Sequence, residues 1–210
     1  QQTSPKATFK TKTKFPIHEE ATSSSTFTNF PKSHPFDDAG FIAFNRVYVG
    51  TLEGWGIFKE DENPVARSNV CPEINPPQEP VFEAFSYTVP ASGEEVKSFI
   101  IAGSGEAQEA PGDYAERIIR LGDSTAEAME EKAVFVLNTM EARMDALGVG
   151  WADVGTSQVY TVHDLYPFFA SQIVGRGAAE AGLTWYYARP PVTGLDYEMD
   201  VRSVPVERVI

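Results

Sequence analysis

The chain has 210 residues, 42% hydrophobic and 22% charged, an ordinary globular mixture long enough to bury a core without disulfides. Its net charge of −13, with no Lys/Arg-rich block, has the wrong sign for nucleic acid and disfavours anionic membranes. No apolar run reaches the roughly 18–20 residues of a membrane-spanning helix, and one cysteine, Cys71, excludes an intramolecular disulfide and points to a reducing, cytoplasmic setting. The Gln1-Gln2 start, without Met, predicts processing or trimming.

The charge is unevenly spread. Residues 1–75 carry eight Lys/Arg and nine Asp/Glu, whereas residues 76–210 carry nine and twenty-one, a balance of −12. The shift falls at the Pro-rich stretch Cys71–Pro80, which reads as an extended connector. The division expected is an N-terminal extension, 1–75, and an α/β domain, 76–210.

Within the extension, Phe9–Phe15 reads as an exposed strand or arm, and the recurring Phe9, Phe15, Phe27, Phe30 and Phe36 demand burial. Phe41–Val49 and Leu52–Phe58, rich in aromatic and β-branched residues, read as two strands that dock on the rest of the chain. Val81–Val89 and Lys97–Ala102 predict a hairpin around the loop Pro90–Glu95. Ser124-Thr-Ala-Glu127 fits a capping box. Met129, Ala133, Val136, Leu137, Met140, Met144 and Leu147 then follow at helical spacing, and Gly148 supplies the stop. Val154–Val162 predicts a strand, Leu165–Glu180 a second helix, and Leu183–Ala188 and Tyr197–Val204 two more strands. The order β-β-α-β-α-β-β implies a mixed sheet with two helices on one face.

Several residues could carry chemistry. Arg189 sits among aromatics in Trp185-Tyr-Tyr-Ala-Arg189, and its planar fork suits a carboxylate; the structural alternative is a salt bridge to Asp196, Glu198 or Asp200. Glu198 and Asp200 alternate on one strand and share a face, where paired carboxylates raise each other's pKa, although a solvated edge is the simpler reading for Asp200. His163 reads as a packing or capping residue, and Cys71 as inert. No His/Cys/carboxylate spacing suggests a metal site, and no phosphate-loop or dinucleotide pattern is present.

Four segments together resemble the RidA/YjgF family. They are Phe99-Ile-Ile-Ala-Gly-Ser-Gly-Glu106, Leu147-Gly-Val-Gly-Trp-Ala-Asp-Val154 with Val159-Tyr-Thr-Val-His-Asp-Leu165, Tyr187-Ala-Arg-Pro-Pro-Val192, and Tyr197-Glu-Met-Asp-Val-Arg-Ser-Val204. The resemblance runs from about Phe82 to Val204. It implies a chorismate-mutase-like fold, a homotrimer or a multiple of one, and hydrolysis of small carboxylated imines or enamines without a metal or organic cofactor. It makes Arg189 the substrate's anchor and Glu198 the acid–base group, with Ser104, Gly105, Phe82 and Tyr187 lining the substrate site. An aminomuconate-type deaminase of aromatic degradation is one such role. Phe82 stands where the family has Tyr, and Glu106 where it has Gln, which keeps open a non-catalytic trimer that binds small carboxylates. An endoribonuclease, a third activity ascribed to relatives, is opposed by the −12 charge.

Overall fold

The computed structural model describes residues 28–31, 34–60, 63, 65–81, 83–87, 97–110 and 112–208. The expected arm Phe9–Phe15, the loop Pro90–Glu95 and Phe82 lie outside these residues.

Strand β1 (Thr28–Pro31) runs parallel to β2 (Arg67–Pro72), and between them lies helix α1 (Asp38–Gly54). This corrects the two strands expected over 41–58. Phe41, Phe44, Tyr48 and Leu52 recur three and four residues apart, which is a helical period. Asp37 starts the helix by accepting a 2.7 Å hydrogen bond from the Gly40 amide. Period and cap outweigh the strand preference of the aromatic and β-branched residues. Strand β3 (Ala84–Phe85) pairs antiparallel with β1, and among the described residues it does not pair with 97–102 as the expected hairpin requires. Strand β4 (Phe99–Gly105) pairs instead with β8 (Glu198–Ser203).

After a short helix α2 (Tyr114–Arg117), the long helix α3 (Ala126–Leu147) carries the expected apolar face. Met129, Ala133, Val136, Leu137, Met140 and Met144 are all buried. Its cap is Thr125, not Ser124, because the Asp123 side chain holds the Thr125 amide at 3.0 Å and turns the Thr hydroxyl to the Ala128 amide. Gly148 ends the helix at φ +68°, the left-handed position that favours glycine. Leu147, expected in the core, is exposed.

Strand β5 (Thr156–Tyr160) leads to helix α4 (Tyr166–Phe168), which widens at once into a π-helical turn, Phe169–Val174. The expected regular helix to Glu180 is broken because the amides of Gly175 and Ala178 bond five residues back, to Ala170 and Ile173. The segment 183–189 divides at Tyr187 into β6 (Leu183–Tyr186) and β7 (Ala188–Arg189).

These strands form two four-stranded sheets, β3-β1-β2-β7 and β4-β8-β5-β6, where one mixed sheet was expected. The molecule is mixed α/β. In the second sheet β5 and β6 are parallel and the other pairs antiparallel. Tyr197, Met199 and Val201 of this sheet pack with Ile101 and Val159 against α3 and α4. The opposite face is covered by β2, whose Val70 packs with Tyr160 and Ala188. Among the described residues no helix is long and apolar enough to cross a membrane.

Candidate active site

Strand β8 alternates. While Tyr197, Met199 and Val201 enter the apolar core, Glu198, Asp200 and Arg202 point to the β2 side, and all six are buried. Asp200 is therefore not on a solvated edge. Its carboxylate accepts hydrogen bonds from the Ser68 and Tyr160 hydroxyls, each at 2.7 Å. Burial pushes the Asp200 carboxyl up to about 6, against the opposing pull of those hydroxyls and of Arg202. Arg202 in turn donates to Gln158 at 2.8 Å and to Glu207 at 2.5 Å.

Glu198 is 4% exposed. Its carboxyl stands well above the usual carboxylate range, first because of burial and then because the Asp200 and Glu106 carboxyls lie near; Arg67 and Arg143 oppose this without prevailing. Burial thus favours the neutral form of this carboxyl over a wider pH range than that of a free glutamate. Strand β4 makes room for it. A register shift between Ile101 and Ser104 bends β4 and sets Gly105 opposite Glu198 and Ser104 opposite Met199. A Cβ on Gly103 would lie 2.1 Å from Glu198 Oε1 and 2.8 Å from Ser68 Oγ, so only glycine admits the carboxyl in this position.

Glu198 opens into a cavity of about 210 Å³, small beside drug-sized sites and suited to a metabolite. Arg67, Asn69, Ser104, Gly105 and Tyr114 line it, as do Arg117 and Arg143. In a chain of net charge −13, three arginines converge on one small space. Arg67 lies over the rings of Tyr48, Phe44 and Phe41, at 4.6, 5.4 and 5.9 Å from their centroids, and hydrogen-bonds Asn45. Its Nη1, and both amide atoms of Asn69, are buried without a hydrogen-bond partner among the described residues. An unmade buried hydrogen bond costs about 1–3 kcal/mol, so these groups are retained at the expense of stability. Burial pushes the Tyr114 phenol up to about 12, leaving its hydroxyl a neutral donor.

The structure brings Glu198, Ser104 and Gly105 together at this cavity. Arg189 is elsewhere. It pairs through two nitrogens with Glu73 at 2.9 and 3.3 Å, and both side chains are about 40% exposed. The partner of its salt bridge is therefore Glu73 of the preceding segment, not Asp196, Glu198 or Asp200. Tyr187, 51% exposed, links the two sheets, and its carbonyl accepts from the Glu73 amide at 3.2 Å. Glu106 is fully buried and accepts from the Asp196 and Tyr197 amides at 2.6 and 3.0 Å. Lys132 lies 3.5 Å from Glu106 and is bonded to Asp196, which also meets His163 Nε2 at 3.1 Å. This cluster pins the turn that precedes β8. Cys71 is buried on β2, and no metal-ligating cluster of His, Cys, Asp or Glu occurs among the described residues.

Sequence reasoning did not reach Arg67, Asn69, Tyr114 or Lys132. The first two carried no local signal, since Arg67-Ser-Asn-Val-Cys-Pro72 runs three polar residues and then three non-polar ones without alternation.

Over 177 residues, the chain is 49% identical to a 2-amino-5-chloromuconate deaminase from Comamonas testosteroni, covering 84% of this chain and 70% of that protein. The model of the family described as 2-aminomuconate deaminase CnbZ matches residues 27–208, and so takes in β1, α1 and β2 together with the segments from β4 to β8. The chain belongs to the 2-aminomuconate deaminase CnbZ family.

Proposed function

We propose that the chain is a hydrolytic deaminase of small carboxylated imines or enamines, of the aminomuconate type met in aromatic degradation, with Glu198 as its acid–base group. The observation that carries this reading is a buried carboxyl, its pKa raised by burial, opening into an arginine-lined cavity. A protonated Glu198 gives its proton to the substrate. An enamine protonated at carbon and an imine protonated at nitrogen both give the iminium ion, whose carbon is electrophilic. Glu198, now a carboxylate, takes a proton from water as the oxygen bonds to that carbon. The amino-alcohol then loses ammonia, so one imine and one water yield one carbonyl and one ammonia. The arginines offset the substrate's carboxylates, and no step calls for a metal or organic cofactor. We read β4 to β8 with α3 and α4 as the chorismate-mutase-like unit of the RidA/YjgF type, supported by the element order and by both helices lying on one face.

We also propose a homotrimeric assembly, or a multiple of it. Support comes from β6, an edge strand bearing the exposed Trp185 and Tyr186, with exposed Tyr187 directly after it. Arg189 lies outside the cavity of its own chain, so its part as a carboxylate anchor is assigned to a cavity completed by a neighbouring copy. Arg189→Lys keeps the charge and loses the fork, and should weaken carboxylate binding at least tenfold; unchanged affinity would leave only the ion pair with Glu73. Light scattering of a stable monomer at micromolar concentration would remove the assembly.

The test of the function is ammonia release from 2-aminomuconate generated in the assay. Stoichiometric ammonia with loss of the dienamine chromophore is expected. Binding of the substrate with no ammonia released would make the cavity a receptor for carboxylates and overturn the deaminase reading.

A further inference from the structure

Two residues of β2 line the cavity together with Glu198 and keep buried polar atoms unbonded among the described residues. Asn69 is 5% exposed, lines the cavity, and has neither its amide nitrogen nor its amide oxygen bonded among the described residues. Two residues earlier on the same strand, and so on the same side, Arg67 also lines the cavity with Nη1 buried and unbonded. Its guanidinium is held by one hydrogen bond to Asn45 and by the aromatic rings of α1, which fix its plane and leave one edge unused. Ser68, between them in sequence, ties β2 to β8 through its hydrogen bond to Asp200.

We propose that Arg67 and Asn69 form the subsite for the α-imino acid end of the substrate, Arg67 and the Asn69 amide nitrogen holding the carboxylate while the Asn69 amide oxygen accepts from the neighbouring nitrogen. A 2-amino or 2-imino acid carries these two groups on adjacent carbons. One donor and one acceptor on a single amide, beside a guanidinium, match them in a way that two cations would not. The subsite would hold the C=N carbon beside Glu198. It rests on the deaminase reading for the identity of the substrate, though not for the binding of a carboxylate. The residues belong to the segment before Pro72, and they make that segment part of the active site as well as its cover.

The test uses the full chain and two probes, the 2-aminomuconate of the ammonia assay and muconate, a dicarboxylate that cannot be deaminated. Asn69→Leu removes the amide at nearly constant size, and Arg67→Lys keeps the charge. Each is expected to raise KM and to weaken calorimetric muconate binding at least tenfold. Asn69→Leu should also melt no lower than the wild type, because an unpartnered amide is replaced by an apolar group; a merely structural Asn69 would lower the melting temperature and leave KM alone. Wild-type KM and wild-type muconate affinity in a folded Asn69→Leu protein would overturn the subsite. Because calorimetry needs no turnover, muconate binding that depends on Arg67 and Asn69 without any ammonia release would support the subsite while defeating the deaminase reading.

Discussion

The two faces of the β4-β8-β5-β6 sheet are equally dry and opposite in chemistry. On one, Tyr197, Met199 and Val201 meet α3; on the other, Glu198, Asp200 and Arg202 meet β2, and none of the six exceeds 7% exposure. The first face gains stability from apolar area removed from water. The second loses some of it, because its carboxyls must stay protonated or find donors to be buried at all. A single strand thus separates fold from chemistry by the two-residue period of its side chains. Its polar face is buried by a segment that comes from more than a hundred residues earlier in the chain.

The contrast can be broken from the apolar side first. Met140→Ala removes a fully buried side chain from the α3 face and should cost 2–5 kcal/mol in urea unfolding. Activity per folded molecule should be retained, since nothing on the β2 side is touched. A loss of specific activity larger than the loss of folded protein would show that the two faces are not separable.

From the polar side the sign reverses. Asp200 is held at about 6 in the folded chain against an ordinary 3.8, so the folded state keeps its proton to higher pH than the unfolded state does. Stability should therefore be greatest below about pH 4 as far as this group is concerned, and should fall by on the order of 3 kcal/mol as pH rises to about 6. The raised Glu198 carboxyl adds a decline of the same sign. Asp200→Asn should flatten the Asp200 part of the slope in urea midpoints taken across that range. A wild-type protein whose stability rises with pH between 4 and 6 would contradict the placement of these carboxyls.

The smallest effect belongs to the surface. Glu73→Gln breaks the ion pair with Arg189, in which both side chains are about 40% exposed. It should change stability by less than about 1 kcal/mol, as exposed pairs do, measured by thermal melting at two salt concentrations. A larger loss would mean that the pair anchors β7 to β2.

Legibility in the sequence followed the range of the interactions. The α3 face, its Gly148 stop and the β8 alternation depend on spacings of two to four residues and can be read directly. Helix α1 was equally local, yet the aromatic content of Phe41, Phe44 and Tyr48 suggested a strand and hid their helical period and the Asp37 cap. The two-sheet arrangement was out of reach, because the partners of β1, β2 and β3 are set by pairings that no local pattern announces. Glu198, Ser104 and Gly105 could be singled out through a resemblance that covers them. Arg67 and Asn69 lie outside that resemblance and meet Glu198 only across the fold; Ser68 reaches Asp200 over 132 positions. Lys132 follows Glu130 and Glu131 in sequence and meets Glu106 and Asp196 only across the fold.

The central claim is that Glu198 works as a buried acid, and the most direct measurement is the pH dependence of ammonia release by wild type and by Glu198→Gln. Wild-type turnover should fall as pH rises through the raised Glu198 pKa, because the proton to be donated is lost there. Glu198→Gln should run at least about a hundredfold slower, without that alkaline limb, while still binding muconate. A Glu198→Gln protein that releases ammonia at the wild-type rate, with the wild-type alkaline limb intact, would contradict the account.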